Sequence, residues 1–592
     1  VTDTTTNYSG DGFAIAAEAN TKNTIKNSLF ERNQGFGDTS INAAVIFAQG
    51  SENIIENTIF NENIAPSAGG AIFNFGNTTI SGSTFTNNAS TTGDGGAIYQ
   101  GVNGSVPSLT VNSSKFYGNS ALNGGAINVF SGTLSIESSI FEANSGTGTG
   151  GAIFADGGVK LSINSSQFTN NSQVAGGAIY INMAVYADAE LNPVSITSSV
   201  FKGNNSTGGS GGAIFALSDL KITDSTFGGE NSADKNSASV DGGAIFAGAG
   251  LVISDSHFEN NITEKCGGAI GFGKDGSTST LQITNTMFKN NTAGTDAANK
   301  GGGALWISTS GGVEITNSVF DSNNGYLGGA IYNNQKSDIT ISNSVFKNNT
   351  AVFNGGAIFT GYNEANREYG TVTINDSSFI GNVCVNRGAA IFNDAKGTVI
   401  INNGVFRDNS AEGSGGVVNN FGGTLTLNVQ EGKSMLFSGN NGKTYGTLIT
   451  DQGGKTTINV AAGGSLIFEK NTAEKGAAIS VWEQTGTNLT INGALGSLIE
   501  FNNNASTISG ALLYNNNVSI NADAIRFVGN TAAKGAAIYG GALNTLDINA
   551  NRLEFINNSS TEDGGAIYLA QNAVLNLNNA YFKGNTAPKA SD

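Results

Sequence analysis

The chain has 592 residues, 84 of them Gly, only 12% charged, with one His, two Cys and a formal net charge of −17. That is the wrong sign for a protein that grips phosphate backbones or an anionic lipid surface, and so few His and Cys leave little room for a His/Cys metal centre. Hydrophobic residues still make up 38%, enough for a core, and no run of about 18 apolar residues offers a membrane-spanning helix.

Repeats run nearly end to end. The motif Phe-x-x-Asn starts at Phe30, Phe60, Phe85, Phe116 and so on to Phe582, twenty units spaced 25 to 33 residues apart. In one of them, after Phe227, the Asn slips by one place to Asn231. A second motif, Gly-Gly-Ala-Ile, alternates with the first, with clear copies from Gly69 to Gly564. Between the motifs lie short apolar alternations such as Leu281-Gln282-Ile283, too short and too often broken by Gly or Asn for a helix. Each unit therefore holds about three short strands. One unit cannot bury its own apolar face, and stacking does so. The fold expected is all-β: a single-stranded parallel β-helix, or solenoid, of about 20 coils. At about 4.8 Å per coil it would be a rod on the order of 95 Å long.

Stacking assigns each residue type a place. The motif Phe points inward as a column of offset rings. The Asn after it turns a corner, and a column of Asn amides satisfies itself. Ser or Thr stands two residues before Phe in the first thirteen units, from Ser28 to Ser377, and alternation turns it inward too. Gly-Gly permits close approach or positive φ at a corner. The Ile that follows is inside, and the next residue faces out. That outer residue is aromatic in thirteen copies, among them Tyr180, Trp306, Tyr332, Phe359 and Tyr514. A continuous outer aromatic stripe would be a binding surface for sugar faces or apolar protein patches; alternatively the rings stack and neighbouring loops cover them. Gly271, Asn128, Asn419 and Ser480 interrupt the stripe, as expected if it tolerates exposure.

Four longer insertions are the other candidates, because loops on a rigid scaffold often carry function. In chain order they are 180–193 with Tyr180, Tyr186 and Asp188, then 228–241, 293–300, and 361–370 with Tyr362, Arg367 and Tyr369. From about residue 421 the residue two before Phe becomes apolar, as at Met435 and Leu466, and a boundary is placed there: coils 1–420 and coils 421–592 with an altered core.

The alternating Gly-Gly-Ala-Ile and Phe-x-x-Asn repeats resemble those of the polymorphic outer-membrane protein family, autotransporter adhesins of Gram-negative bacteria. They are also similar to adhesin-like repeats of gut archaea. The resemblance covers nearly the whole chain. It implies a right-handed helix, export to the cell surface as a passenger or stalk, and attachment to a host or neighbouring-cell protein or glycan, or to further copies of itself. The chain reads as a mature or excised piece of something longer, so the anchor stays open.

Chemistry is weakly represented. The lone His257 neighbours Phe258 and faces outward, with no nucleophile motif to serve. A polysaccharide-degrading β-helix enzyme would need paired carboxylates, and Asp224 and Asp255 are the best pair, three residues before the motif Phe in consecutive coils. The same place elsewhere holds Asn or Ser, which makes Asp an ordinary turn substitute. Cys266 and Cys384, four coils apart, are expected as two free buried thiols. No catalytic, metal or cofactor residue is assigned. The reading is an extracellular adhesin, with a structural filament or coat and the enzyme as alternatives.

Overall fold

The computed structural model describes residues 14–588, apart from 18–19, 36–44, 49–51, 102–105, 157, 183–193, 275, 299, 362–369, 483–485 and 543. It is an all-β parallel β-solenoid of about 18 turns, close to the twenty motif-bearing units. The chain forms two compact units, Val1–Gly294 and Thr295–Asp592.

In the first unit each coil has three faces. The coil from Asn77 to Gln100 shows them. Asn77–Ser81 and Thr84–Thr86 lie on a broad sheet, Ala89–Ser90 forms a short-strand face, and Ile98–Gln100 forms the Gly-Gly-Ala-Ile face. Successive coils pair in parallel with like over like: Phe85 sits between Phe60 and Phe116, and Ile98 between Ile72 and Ile127. The second unit repeats this plan, from Val313–Thr316 to Ala580–Lys583 on the broad sheet. Its short-strand face comes in two runs, Asn324–Leu327 to Ser410–Ala411 and Thr472–Lys475 to Ser559–Ser560.

The core is built of columns. In the first unit the Phe rings stack with centroids 4.6 to 5.1 Å apart and planes within 12°. In the second the spacing is 4.6 to 5.4 Å. Strand spacing dictates this separation, and near-parallel planes so far apart are offset, the arrangement that ring quadrupoles favour.

The corner after Phe is held by the Asn column. Asn349 donates from Nδ2 to Phe320 O and to Asn382 Oδ1, each at 2.9 Å. Its own Oδ1 accepts from the backbone N and the Nδ2 of Asn323, at 3.0 and 2.9 Å. The backbone donor fixes which end of the amide is oxygen. The residue before a column Asn is left-handed, for example Asn87 at φ 53° and Asn348 at φ 56°, except at Asn236, where Lys235 is extended at φ −62°. One expectation is corrected here. After Phe227 the column residue is Asn236, which donates to Phe201 O and Asn261 Oδ1, not Asn231. Asn231 instead begins a looped-out segment with the short 3-10 helix Ser232–Asp234. The insertion is accommodated by bulging outward because the column cannot skip a coil.

The Ser/Thr column is buried and internally bonded. Thr58 N donates to Ser83 Oγ at 3.1 Å, and Ser83 Oγ donates to Ser81 O at 3.0 Å. The turn just before this residue is left-handed, as at Asn57 (φ 48°) and Ser113 (φ 46°). Later in the second unit Met435, Leu466, Ile499, Ile525 and Leu553 fill the place, all fully buried. There the turn disappears outright in two coils, leaving continuous strands Val518–Val528 and Thr545–Ile556. The coils of Met435, Leu466 and Ile499 keep a turn, each with a left-handed glycine, Gly432, Gly463 and Gly496.

The two glycines of Gly-Gly-Ala-Ile relieve different clashes, and Ala takes the second place only in the copies with Ala389, Ala477 and Ala536. Gly95 has φ 66°, and a Cβ there would lie 2.3 Å from Ile98 O. A Cβ on Gly96 would lie 2.1 Å from Gly125 O of the next coil. No real Cβ tolerates either approach.

The two cysteines are free. Cys384 is buried and its thiol is pushed up to about 12, chiefly by burial. Cys266 is only part-buried, a departure from the expected buried hydrophobe, and burial followed by the neighbouring Asp241 carboxylate raises it further still.

The Asn column yields a direct test. Asn349→Ala removes bonds to two backbone groups and two amides, and should cost about 2–4 kcal/mol in urea unfolding. Asn349→Asp keeps the shape but sets a carboxylate against two acceptors, Phe320 O and Asn382 Oδ1. It should be at least as destabilising at neutral pH, and an Asp variant as stable as wild type would contradict the assigned amide orientation.

Candidate functional site

The outer aromatic positions are mostly covered. In the first unit Tyr180 is half-buried, stacked between Phe154 at 5.4 Å and Phe215 at 4.8 Å. Burial raises its hydroxyl above the usual tyrosine value, with Asp156 adding to the effect. In the second unit Tyr332 and Phe359 are each 2% exposed, and Trp306 packs part-buried against the same cluster. The Tyr332 hydroxyl donates to Asn334 Oδ1 at 2.7 Å. The interruptions do not mark exposure either, a second correction. Asn128, Asn419 and Ser480 are at most 2% exposed, because small side chains let flanking residues close over them.

Tyr514 is not an outer residue. It pairs with Val481, which follows the outer position, so it points inward and is fully buried. Leu513 takes the outer place. Burial pushes the Tyr514 hydroxyl up to about 12, and it reaches Val574 O at 3.3 Å. Of the loop candidates, Tyr186, Asp188, Tyr362, Arg367 and Tyr369 lie outside the described residues.

Asp224 and Asp255 are exposed, left-handed turn residues at φ 49° and 52°. Asp224 accepts from Ser198 Oγ at 2.8 Å and Asp255 from Asn285 Nδ2 at 3.1 Å. Each carboxylate is thus tied to a turn residue of an adjacent coil, the arrangement of a turn substitute. His257 is part-exposed, 3.7 Å from Glu259, which also pairs with Lys289 at 2.7 Å. Among the described residues no cluster of His, Cys, Asp or Glu could hold a metal ion.

A marked concavity among the described residues lies in the second unit. A cleft of about 510 Å³ opens beside the Gly-Gly-Ala-Ile face. Phe359 and Phe392 form its apolar floor, stacked at 5.3 Å and nearly buried. Tyr326 and Phe353, from the short-strand face, form one wall, stacked at 5.6 Å with planes 8° apart. Phe353 is 42% exposed. Asn354, Asn386, Arg387, Asp394 and Lys300 supply the polar lining, and Phe421 closes one end.

Arg387 is held firmly. Its Nη1 lies 3.1 Å from Asp451 Oδ2, two coils away, and Asp451 is wholly buried. Its guanidinium lies over the Phe421 ring at 4.9 Å and the Trp482 ring at 5.6 Å. Its backbone N and Asn386 Nδ2 both donate to Asn354 Oδ1. Burial raises the Asp451 carboxyl above the usual range and Arg387 opposes that shift. The long reach is possible because the intervening coil offers Gly415, which pairs with Arg387, and the small Asn419. Sequence reasoning missed these residues, since a pair 64 positions apart is visible only once coil phase is known. Arg387→Ala should strand a buried carboxylate and cost about 3 kcal/mol in urea unfolding. The double variant Arg387→Ala/Asp451→Ala should recover part of that loss; a single variant as stable as wild type would show the pair to be unimportant.

Comparison with known proteins places the repeat. The Chlamydia polymorphic membrane protein repeat matches residues 57–74, 82–100 and 552–570. Each match runs across two corners and the short-strand face between them, from the approach to the motif Phe to just beyond the outer aromatic. The chain is also 30% identical over 203 residues to metabotropic glutamate receptor-like protein R of Dictyostelium discoideum. That match takes in 33% of this chain and 12% of that protein's length. No helix among the described residues is long and apolar enough to cross a membrane, which says nothing of a β-barrel. The chain is a parallel β-solenoid in which three segments match the Chlamydia polymorphic membrane protein repeat.

Proposed function

We propose that this chain is a surface-displayed passenger that mediates attachment, without catalysing a reaction. The repeat class and the β-solenoid fit a surface passenger. The observation that carries the reading is the contrast between columns and cleft. The columns make a rigid, self-satisfied scaffold, and among the described residues an aromatic-walled recess with fixed polar groups breaks their monotony, a form suited to holding a ligand. The carboxylate pair that a polysaccharide-cleaving enzyme would use serves instead as two turn residues. Attachment requires many weak contacts presented at a distance from the anchor, and a stacked scaffold supplies the distance.

The test is adhesion of beads coated with the whole chain to a panel of bacterial and epithelial cells. Saturable adhesion to at least one cell type, competed by soluble protein, is expected. Adhesion no greater than that of beads carrying an unrelated β-solenoid of similar charge would overturn the reading.

A further inference from the structure

We infer that the cleft of the second unit is a binding site for a neutral saccharide, a short run of pyranose rings; this rests on the attachment reading above and names its ligand. Three features point to that chemistry.

The first is the wall. Tyr326 and Phe353 stand one coil apart with near-parallel rings, and Phe353 leaves 42% of its surface open. A pyranose ring carries axial C–H groups on its faces and hydroxyls on its rim. It therefore covers an aromatic face while its polar edge stays hydrogen-bonded, so no hydroxyl is buried without a partner. The wall extends across two coils, long enough to meet more than one ring in line.

The second is the polar rim. It offers donors and acceptors together: the Arg387 guanidinium, amides of Asn354 and Asn386, and the Asp394 carboxylate. Hydroxyls need both kinds. The Arg387 charge is already matched by the buried Asp451, and the charges of Lys300 and Asp394 on the lining cancel. The described lining residues thus carry no surplus charge to select an acidic sugar or a phosphate.

The third is preorganisation. Asn354 Oδ1 accepts from both Asn386 Nδ2 and Arg387 N, and Arg387 is pinned between Asp451 and the Phe421 ring. Groups fixed before binding lose little freedom when a ligand arrives, which weakly held sugars require. The volume, about 510 Å³, falls within the range of about 300–1,000 Å³ typical of small-ligand pockets. A peptide is the less fitting occupant, because the strand that carries Phe353, Thr350–Asn354, is paired on both sides, to Asn324–Leu327 and to Val383–Cys384, and leaves no free edge to extend.

The experiment uses the full chain, its Phe353→Ala variant, and Phe130→Ala, an exposed ring of the first unit, as control. Each is applied to an array of neutral cello-, chito- and malto-oligosaccharides beside sialylated and uronic-acid glycans, and to a tryptic peptide pool. The affinity for any hit is measured by titration calorimetry. Binding to one or more neutral glycans is expected, weakened about tenfold or more in Phe353→Ala and unchanged in Phe130→Ala. No neutral glycan bound, equal binding by Phe353→Ala, preference for acidic glycans, or capture of peptides alone would each overturn the assignment. The same proteins are run in the bead assay. Cell adhesion without glycan binding sinks the saccharide site and leaves attachment standing. Glycan binding without cell adhesion sinks attachment and leaves the site.

Discussion

The rest of the structure depends on the buried asparagine column. A parallel stack needs every coil to lie in phase with its neighbours, and each corner of a coil exposes backbone groups that no strand partner reaches. One amide solves both problems. Its nitrogen takes a backbone carbonyl of the preceding coil and the next Asn oxygen, and its own oxygen takes the backbone N–H and amide of the Asn before it. The bond set closes only when Asn sits over Asn. Register is thereby a hydrogen-bond condition, and the Phe stack beside it inherits its spacing from that condition.

Two consequences follow from a scaffold locked in this way. Variation in coil length must leave the stack, as the segment from Asn231 to Asp234 does between Phe227 and Asn236. Chemistry must likewise be placed on the faces by substitution at ladder positions. The second unit shows this. Asp394, Phe421, Asp451 and Trp482 fall in one column beyond the Gly-Gly-Ala-Ile strand, and Arg387, Gly415, Tyr445 and Lys475 in another. A glycine in one column opens the path by which an arginine from one coil reaches an aspartate two coils away. The recess with its fixed guanidinium is the result.

The fold was largely legible in the sequence because identical residues recur where identical physics recurs. Phe and Asn recur twenty-fold, Ser or Thr before Phe in the first thirteen units and Gly-Gly in most coils, and each has a single stereochemical task that can be argued from residue type. What was not legible depended on phase. Asn231 and Asn236 both follow Phe227, and only the stack says which of them completes the column. Ser509-Gly510-Ala511-Leu512 fills the place of the motif with Ser for its first glycine, so Leu513 takes the outer position and Tyr514, one residue further on, becomes a core ring. The exposure of the outer aromatics was misread at Asn419 and Ser480 because a small polar residue reads alike in a covered and an open position. The Arg387–Asp451 pair and the Phe353 wall had no signal at all in a linear reading, because their meaning comes from neighbours one and two coils away.

The central claim, that side chains at the corner satisfy the backbone and hold register, is tested most directly by amide hydrogen exchange on the intact chain. The corner N–H groups of Asn323, Asn349, Asn382 and Asn409 donate to side-chain oxygens at 3.0 Å. They should exchange as slowly as the strand amides of Phe346 and Phe379 on the same coils. Exchange at those corners as fast as in the looped-out segment around Ala233 would contradict the account.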